Sequence, residues 1–296
     1  MLGGAVTAVR LPSPLTQVVD DRLDRRGLRL ALKRDDLINQ DVPGNKWRKL
    51  RLNLDAAAAG GYDQLLTFGG AWSNHIRAVA AAGRLCGFAS VGVVRGEPHL
   101  PLNPVLQWAV GQGMRLAYLD RLTYRHAVHG TPAPDLVASL QQQWGPSYVL
   151  PEGGSNDLAV IGCVDVAREI GPDADVVCCP VGTGGTLAGI AAGLRPGQEA
   201  VGFSVLKGQF LTAEVERLQR TAFGSRQGRW RVEQTYHFGG YAKTTPELEA
   251  FACDFRARHG VRLDSTYTAK MMYGIYDLGS QGVFPPGTRL VAVITG

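Results

Sequence analysis

The sequence predicts an α/β fold with mostly parallel sheets covered by helices on both faces, and three observations carry that expectation. Short β-rich runs alternate with amphipathic helical stretches; the runs are apolar throughout instead of at every second position; and many of the 38 glycines sit just after them. In order, "QLLTFGG" precedes a helix expected over 74–85 and "ASVGVVRG" one over 100–112, and "MRLAYLD" is the next β-rich run. "SYVLPEGG" then precedes a helix over 158–170, "DVVCCPVGTGG" one over 186–194 and "EAVGFSV" one over 212–220, and "RLVAVITG" closes the chain. No solenoid-period repeat or low-complexity linker marks a domain boundary.

With 296 residues, 45% of them hydrophobic, the chain can bury one large core or two smaller ones. No apolar run approaches the roughly 20 residues that cross a bilayer, and "MLGGAVTAVRLPSP" lacks the order of a secretion signal, so a cytoplasmic location and no membrane partner are expected. Cys86, Cys163, Cys178, Cys179 and Cys253 form no CxxC pair, which predicts reduced, mostly buried thiols and no metal. The net charge of +5 raises the question of nucleic acid. In "DDRLDRRGLRLALKRDD", however, arginines alternate with aspartates and apolar residues, which is a solvated face and not a phosphate-tracking stripe. A small anionic ligand stays open.

Glycine placement points to that ligand. Gly69-Gly70, Gly153-Gly154, Gly182 with Gly184-Gly185, and Gly239-Gly240 follow expected strands, where open α/β sheets bind ligands. "CCPVGTGGTLAGIAAGL" is the clearest: an apolar strand, then Gly182, Thr183, Gly184, Gly185 and Thr186, then a helix whose first amides are free to hold a phosphate. A dinucleotide site calls for an acidic residue about 20 positions on. "AVGFSVLKG" offers Ser204 and Lys207 instead, and no Walker lysine follows the glycines.

A phosphate loop without those partners, beside an unusual lysine, points to pyridoxal 5′-phosphate, which needs a lysine for its aldehyde and a cradle for its phosphate. Of the six lysines, Lys46 in "VPGNKWRKL" is the candidate, because cations in a first helical turn oppose the macrodipole. Lys33 heads a charged run, Lys207 and Lys243 fall in loops, and Lys270 is expected on a helix surface or near the site.

Eight ordered motifs extend the reading: "LPSPL", "LKRDDL", "GNKWRKL", "TFGGAWSNH", "PEGGSN", "PVGTGGTLAG", "GYAKTT" and "LDSTYTAKMMYG". Over nearly its whole length the chain resembles the 1-aminocyclopropane-1-carboxylate deaminase and D-cysteine desulfhydrase family, pyridoxal-phosphate enzymes of fold type II (tryptophan synthase β-like). The resemblance implies two three-layer α/β domains with the cofactor in the cleft between them. The smaller, mobile one would be 50–150; the larger would combine 1–49 with 151–296. A homodimer is the common family state.

Residue by residue, the resemblance implies that Lys46 carries the cofactor and Lys49 meets its phosphate together with the 182–186 loop. Asn74 would bond the phenolic oxygen of the ring, and Ser73 with neighbouring amides would receive the substrate carboxylate, although an N-cap would explain Ser73 equally well. His75 and Trp72 flank that position as candidate substrate contacts. Tyr241 and Tyr267 match two tyrosines on the substrate side of the ring, able to polarise the substrate or carry a proton. Thr268 and Thr295 stand where the deaminases have Glu and Leu, and both are hydroxyl residues as in the desulfhydrases.

A hydroxyl at the pyridine nitrogen favours elimination of a good leaving group over ring opening. The expected activity is therefore α,β-elimination on a small (D-)amino acid, D-cysteine for instance, giving pyruvate, ammonia and sulfide. The alternatives are cyclopropane deamination or another amino-acid deaminase or racemase on the same scaffold, a nucleotide-dependent oxidoreductase, and a non-catalytic cofactor-binding protein. Pro43, Ser265 and Ala269 depart from the family pattern near the pocket, and the chain ends at Gly296 where relatives continue.

Overall fold

A computed structural model describes residues 9–42, 44–128 and 132–295, so Pro43, Gly296 and the first eight residues lie outside it. Its strands are β1 (Leu15–Val18), β2 (Arg29–Lys33), β3 (Gln64–Gly70), β4 (Ala89–Arg95), β5 (Arg115–Leu119), β6 (Tyr148–Leu150), β7 (Val176–Val181), β8 (Glu199–Ser204), β9 (Trp230–Glu233) and β10 (Arg289–Val293). They form two sheets, in the orders β5-β4-β3-β6 and β1-β2-β10-β7-β8-β9. All recorded pairings are parallel except β1 with β2.

The chain divides into two compact units: one built on Asn39–Gly162, the other on Arg10–Ile38 and the chain from Cys163 on. The first is wider than the 50–150 expected for a small domain. A boundary at 49/50 would cut the fifteen-residue helix Asn45–Ala59, which lies whole in this unit and carries Lys46 and Lys49 with it.

In the first unit, side-chain parity along β3 separates the layers. Leu66 and Phe68, with Val91 and Val93 of β4, pack against Tyr124 and Leu140 from the helices Arg121–Ala127 and Pro134–Trp144. The opposite face meets the helix Asn74–Cys86: a Cβ built on Gly69 or Gly92 would contact Ile76. The second unit repeats the arrangement. Leu30, Leu32, Cys178, Phe203 and Ala292 share a core with Met271, Met272 and Ile275 of the helix Thr268–Ser280 and with Phe255 of Pro246–His259. On the other face, a Cβ on Gly202 would collide with Leu187 of the helix Gly185–Gly193.

The expected helix over 100–112 begins later, at Pro104, because Asn103 caps it by accepting from Val105 and Leu106 N–H and proline suits the first turn. The buried polar groups of "LPSPL" and "LKRDDL" explain each other. Lys33, 1% exposed, pairs with Glu169 at 2.6 Å and donates to the Ser13 carbonyl, while the Ser13 hydroxyl donates to Asp35. Those two motifs are structural here.

Candidate active site

In the first unit, Gly44 holds a positive φ of 64° and turns the chain into the helix Asn45–Ala59, which has no side-chain cap and no acidic residue in its first turn. Lys46 is half-buried there. Lys49, one turn on and buried, donates from Nζ to the Gly153 carbonyl and the Ser155 hydroxyl, both at 3.1 Å, which ties it to the "PEGGSN" turn.

The "GGAWSNH" segment follows β3. Ser73 is indeed the N-cap of the helix Asn74–Cys86, its Oγ accepting from His75 and Ile76 N–H. That leaves its hydroxyl proton free to be donated elsewhere, at a helix start that favours a carboxylate. Gly69 makes room for it, since a Cβ there would lie 2.7 Å from Ser73 Oγ. Asn74 is exposed at the first position of the helix, and Trp72, 64% exposed, is not a core residue.

His75 is buried, and its Nε2 lies 2.9 Å from the Thr67 hydroxyl. That hydroxyl also donates to the Leu150 carbonyl at 3.1 Å, and the backbone of Pro151 interacts with the imidazole. Burial, then the charges of Lys46 and Lys49, hold the imidazole well below its ordinary pKa. His75 is thus a neutral brace between β3 and its helix.

In the second unit, β7 runs into Gly182, Thr183 and Gly184, and Gly184 caps the helix Gly185–Gly193 in the left-handed region at φ 84°. Only glycine suits that position, where a Cβ would also press on Val215 at 3.0 Å. No acidic residue stands in the first turn, Thr186 is buried, and Thr183 is exposed.

Tyr267 lies beside this loop: a Cβ on Gly182 would touch its ring at 3.3 Å. Tyr241 meets it edge-on with centroids 6.0 Å apart. Burial first, and Tyr241 second, push the Tyr267 phenol well above its usual pKa, so it keeps its proton at neutral pH. Thr268 is buried and its hydroxyl donates to Asp264 at 2.6 Å. Thr295, also buried, follows β10.

Two residues in this unit escaped the sequence reading. Asp264 accepts from the amides of Thr266, Tyr267 and Thr268 and so fixes the start of the helix that carries Thr268; its spacing before a helix was the available signal. Lys270, expected on a helix surface or near the site, is fully buried, and its Nζ donates to the His237 and Gly240 carbonyls at 2.9 and 2.7 Å. Nothing in the sequence announces a lysine spent on backbone carbonyls. None of the five cysteines is in a disulfide; Cys163, Cys178 and Cys179 are buried, and burial pushes the Cys178 thiol up to about 12.

A family model described as "Pyridoxal-phosphate dependent enzyme" matches residues 9–296. The chain belongs to that family. Its cofactor is pyridoxal phosphate. Among relatives, a provisionally named 1-aminocyclopropane-1-carboxylate deaminase of Pyrococcus furiosus is 30% identical over 285 residues, covering 91% of this chain and 85% of that one. A D-cysteine desulfhydrase of Klebsiella pneumoniae is 29% identical, covering 96% and 91%. The crystal structure of an ACC deaminase homologue superposes with a TM-score of 0.81 at 26% identity, covering 99% of this chain and 91% of that one. For this pyridoxal-phosphate-dependent enzyme the donor set fits the cofactor: the acid-free helix start behind left-handed Gly184 offers amides and threonine hydroxyls suited to a phosphate.

Proposed function

We propose that this enzyme is a lyase of the D-cysteine desulfhydrase type, removing a β-substituent from a small amino acid to leave pyruvate and ammonia. It is thereby placed within the deaminase and desulfhydrase group to which its relatives belong. The observation that carries the choice is the pair of hydroxyls at Thr268 and Thr295. Thr268 already donates to Asp264, so Thr295 is the residue assigned to the pyridine nitrogen. A neutral hydroxyl there supports a weaker electron sink than a carboxylate would, sufficient for expelling a good leaving group.

When bound, pyridoxal phosphate supplies an aldehyde that takes up an amino group and a conjugated ring that accepts the electrons of the Cα–H bond. Lys46 would hold the cofactor through its side-chain amine, and the same amine would serve as the base for the Cα proton of the substrate. The amides and hydroxyls of Gly182, Thr183, Gly184, Gly185 and Thr186 grip the phosphate, and Lys49 adds a positive charge while held by Gly153 and Ser155. Asn74 bonds the ring's phenolic oxygen. Ser73 donates its free hydroxyl proton to the substrate carboxylate. Tyr267, kept protonated by burial, donates toward the substrate, and Tyr241 fixes its ring edge-on.

The test is product analysis of the cofactor-loaded enzyme. β-Substituted alanines such as D-cysteine and β-chloro-D-alanine should give pyruvate and ammonia in equal amounts. Formation of 2-oxobutanoate from 1-aminocyclopropane-1-carboxylate, with no pyruvate from any β-substituted amino acid, would reverse the choice. Borohydride reduction should attach the cofactor to the peptide containing Lys46, and the Lys46→Ala protein should carry no such attachment.

A further inference from the structure

Beside the "GGAWSNH" turn lies a cavity of about 670 Å³, and three arginines line it: Arg95, Arg121 and Arg125. Arg95 ends β4, whereas Arg121 and Arg125 stand four residues apart on the helix Arg121–Ala127 and so share a face. None of the three has an ion-pair partner among the described residues, although most other arginines of that set do. The carboxylate of Asp120, next in the chain, is used in capping its helix. Glu152 is the acidic side chain in the lining, and its charge, after burial, raises the pKa of the neighbouring Tyr124 phenol.

Two of the guanidinium groups lie alongside glycine backbone at ordinary van der Waals range. A Cβ on Gly70 would come 3.4 Å from the Arg95 guanidinium, and one on Gly96 would come 3.8 Å from Arg121 Nε. The cavity wall continues through Ala71 to the exposed Trp72, which immediately precedes Ser73 in the chain. The three guanidinium groups are exposed at one cavity and none is in an ion pair among the described residues, and their planar donor edges match the paired oxygens of an oxyanion.

We infer that this cavity receives the β-substituent of the substrate, and that the substituent ends in an oxyanion: a sulfonate or a phosphate ester. This rests on Ser73 holding the α-carboxylate, as proposed above. In the step itself the Cα proton passes to Lys46, a Cα–Cβ double bond forms, and the Cβ–S or Cβ–O bond breaks. Sulfite or phosphate leaves with the electron pair, and water then releases pyruvate and ammonia, with no oxidant or reductant consumed. The arginines stabilise the charge that grows on the leaving group.

The experiment compares kcat/KM of the holoenzyme on cysteate and O-phosphoserine, each as both enantiomers, with D-cysteine and β-chloro-D-alanine. The oxyanion substrates should be preferred, and the stronger arm identifies the group. Arg95→Gln and Arg121→Gln should each lower the ratio of oxyanion to neutral substrate by about 10- to 100-fold, the range of one charged hydrogen bond. Arg226→Gln, distant in sequence and paired with Glu216, serves as the control and should leave the ratio unchanged. Inorganic sulfate should inhibit the wild type competitively and the two cavity variants more weakly. If the neutral substrates react at least as well, or the ratio holds within twofold in both cavity variants, the inference is overturned and the elimination reading stands. If no amino acid of either kind yields pyruvate or changes the cofactor absorbance, both fail.

Discussion

The ammonium of Lys270 donates to the Gly240 carbonyl at 2.7 Å and, through a second proton, to His237. This clamps the loop in which Phe238 and Ala242 hold left-handed φ values of 49° and 54°, and which presents Tyr241 to Tyr267. Lys270→Met would remove two charge-assisted hydrogen bonds, leaving each carbonyl only its backbone partner, Gly240 N–H on His237 and Lys243 N–H on Gly240, at a cost of about 1.5–3 kcal/mol for each bond lost. The variant should unfold at a lower denaturant concentration, and its loop should gain amide exchange at residues 237–243 ahead of the rest of the unit.

His75 sets an acid limit on stability. Its folded pKa lies well below the ordinary 6.5, because burial and the two lysines disfavour the imidazolium. Below 6.5 the unfolded chain takes up a proton that the folded chain refuses, so its contribution is whole above that pH and is lost as pH falls. The slope from this group is at most about 1.4 kcal/mol per pH unit. Urea unfolding at pH 7.5, 6.5 and 5.5 should show it, and His75→Gln should flatten it.

The two threonines should separate by phenotype. Thr268→Ala removes a hydroxyl that both donates to Asp264 and accepts from its amide, and the loss of these hydrogen bonds should cost about 1 kcal/mol in unfolding free energy. Thr295→Ala should instead lower kcat by up to about tenfold, the worth of one neutral hydrogen bond, with a smaller change in unfolding. Equal effects on both measurements for both variants would contradict the assignment.

Lys33 and Glu169 form a pair whose side chains are 2% and 16% exposed. Lys33→Met removes the charge partner of Glu169, which keeps the Ser13 amide, and should destabilise by about 3 kcal/mol, the lower end for a broken buried pair. Lys33→Met combined with Glu169→Leu should recover part of that loss, which a denaturation series on the two variants measures.

Much of the fold was legible because its signals are local. Apolar strands followed by glycines placed β3, β4, β7 and β8, and the Ser73 cap was readable from one serine before a helical run. Less visible were the short helices Arg121–Ala127 and Pro134–Trp144, whose brief periods carry little pattern. The fate of Lys270 was hidden for another reason: a lysine in a helix reads as solvated until the element packed over it is known.

The sequence by itself determined the parallel α/β class and the glycine turn that leads β7 into the helix Gly185–Gly193, and it offered that loop and Lys46 as candidates, since turn chemistry and charge placement are properties of neighbouring residues. Only the tertiary structure decided that His75 is a neutral brace, that Thr268 is engaged by Asp264, and that Arg95 joins Arg121 and Arg125 around one cavity. Burial, and proximity between residues about 25 apart, depend on how strands and helices stack, which no local pattern encodes.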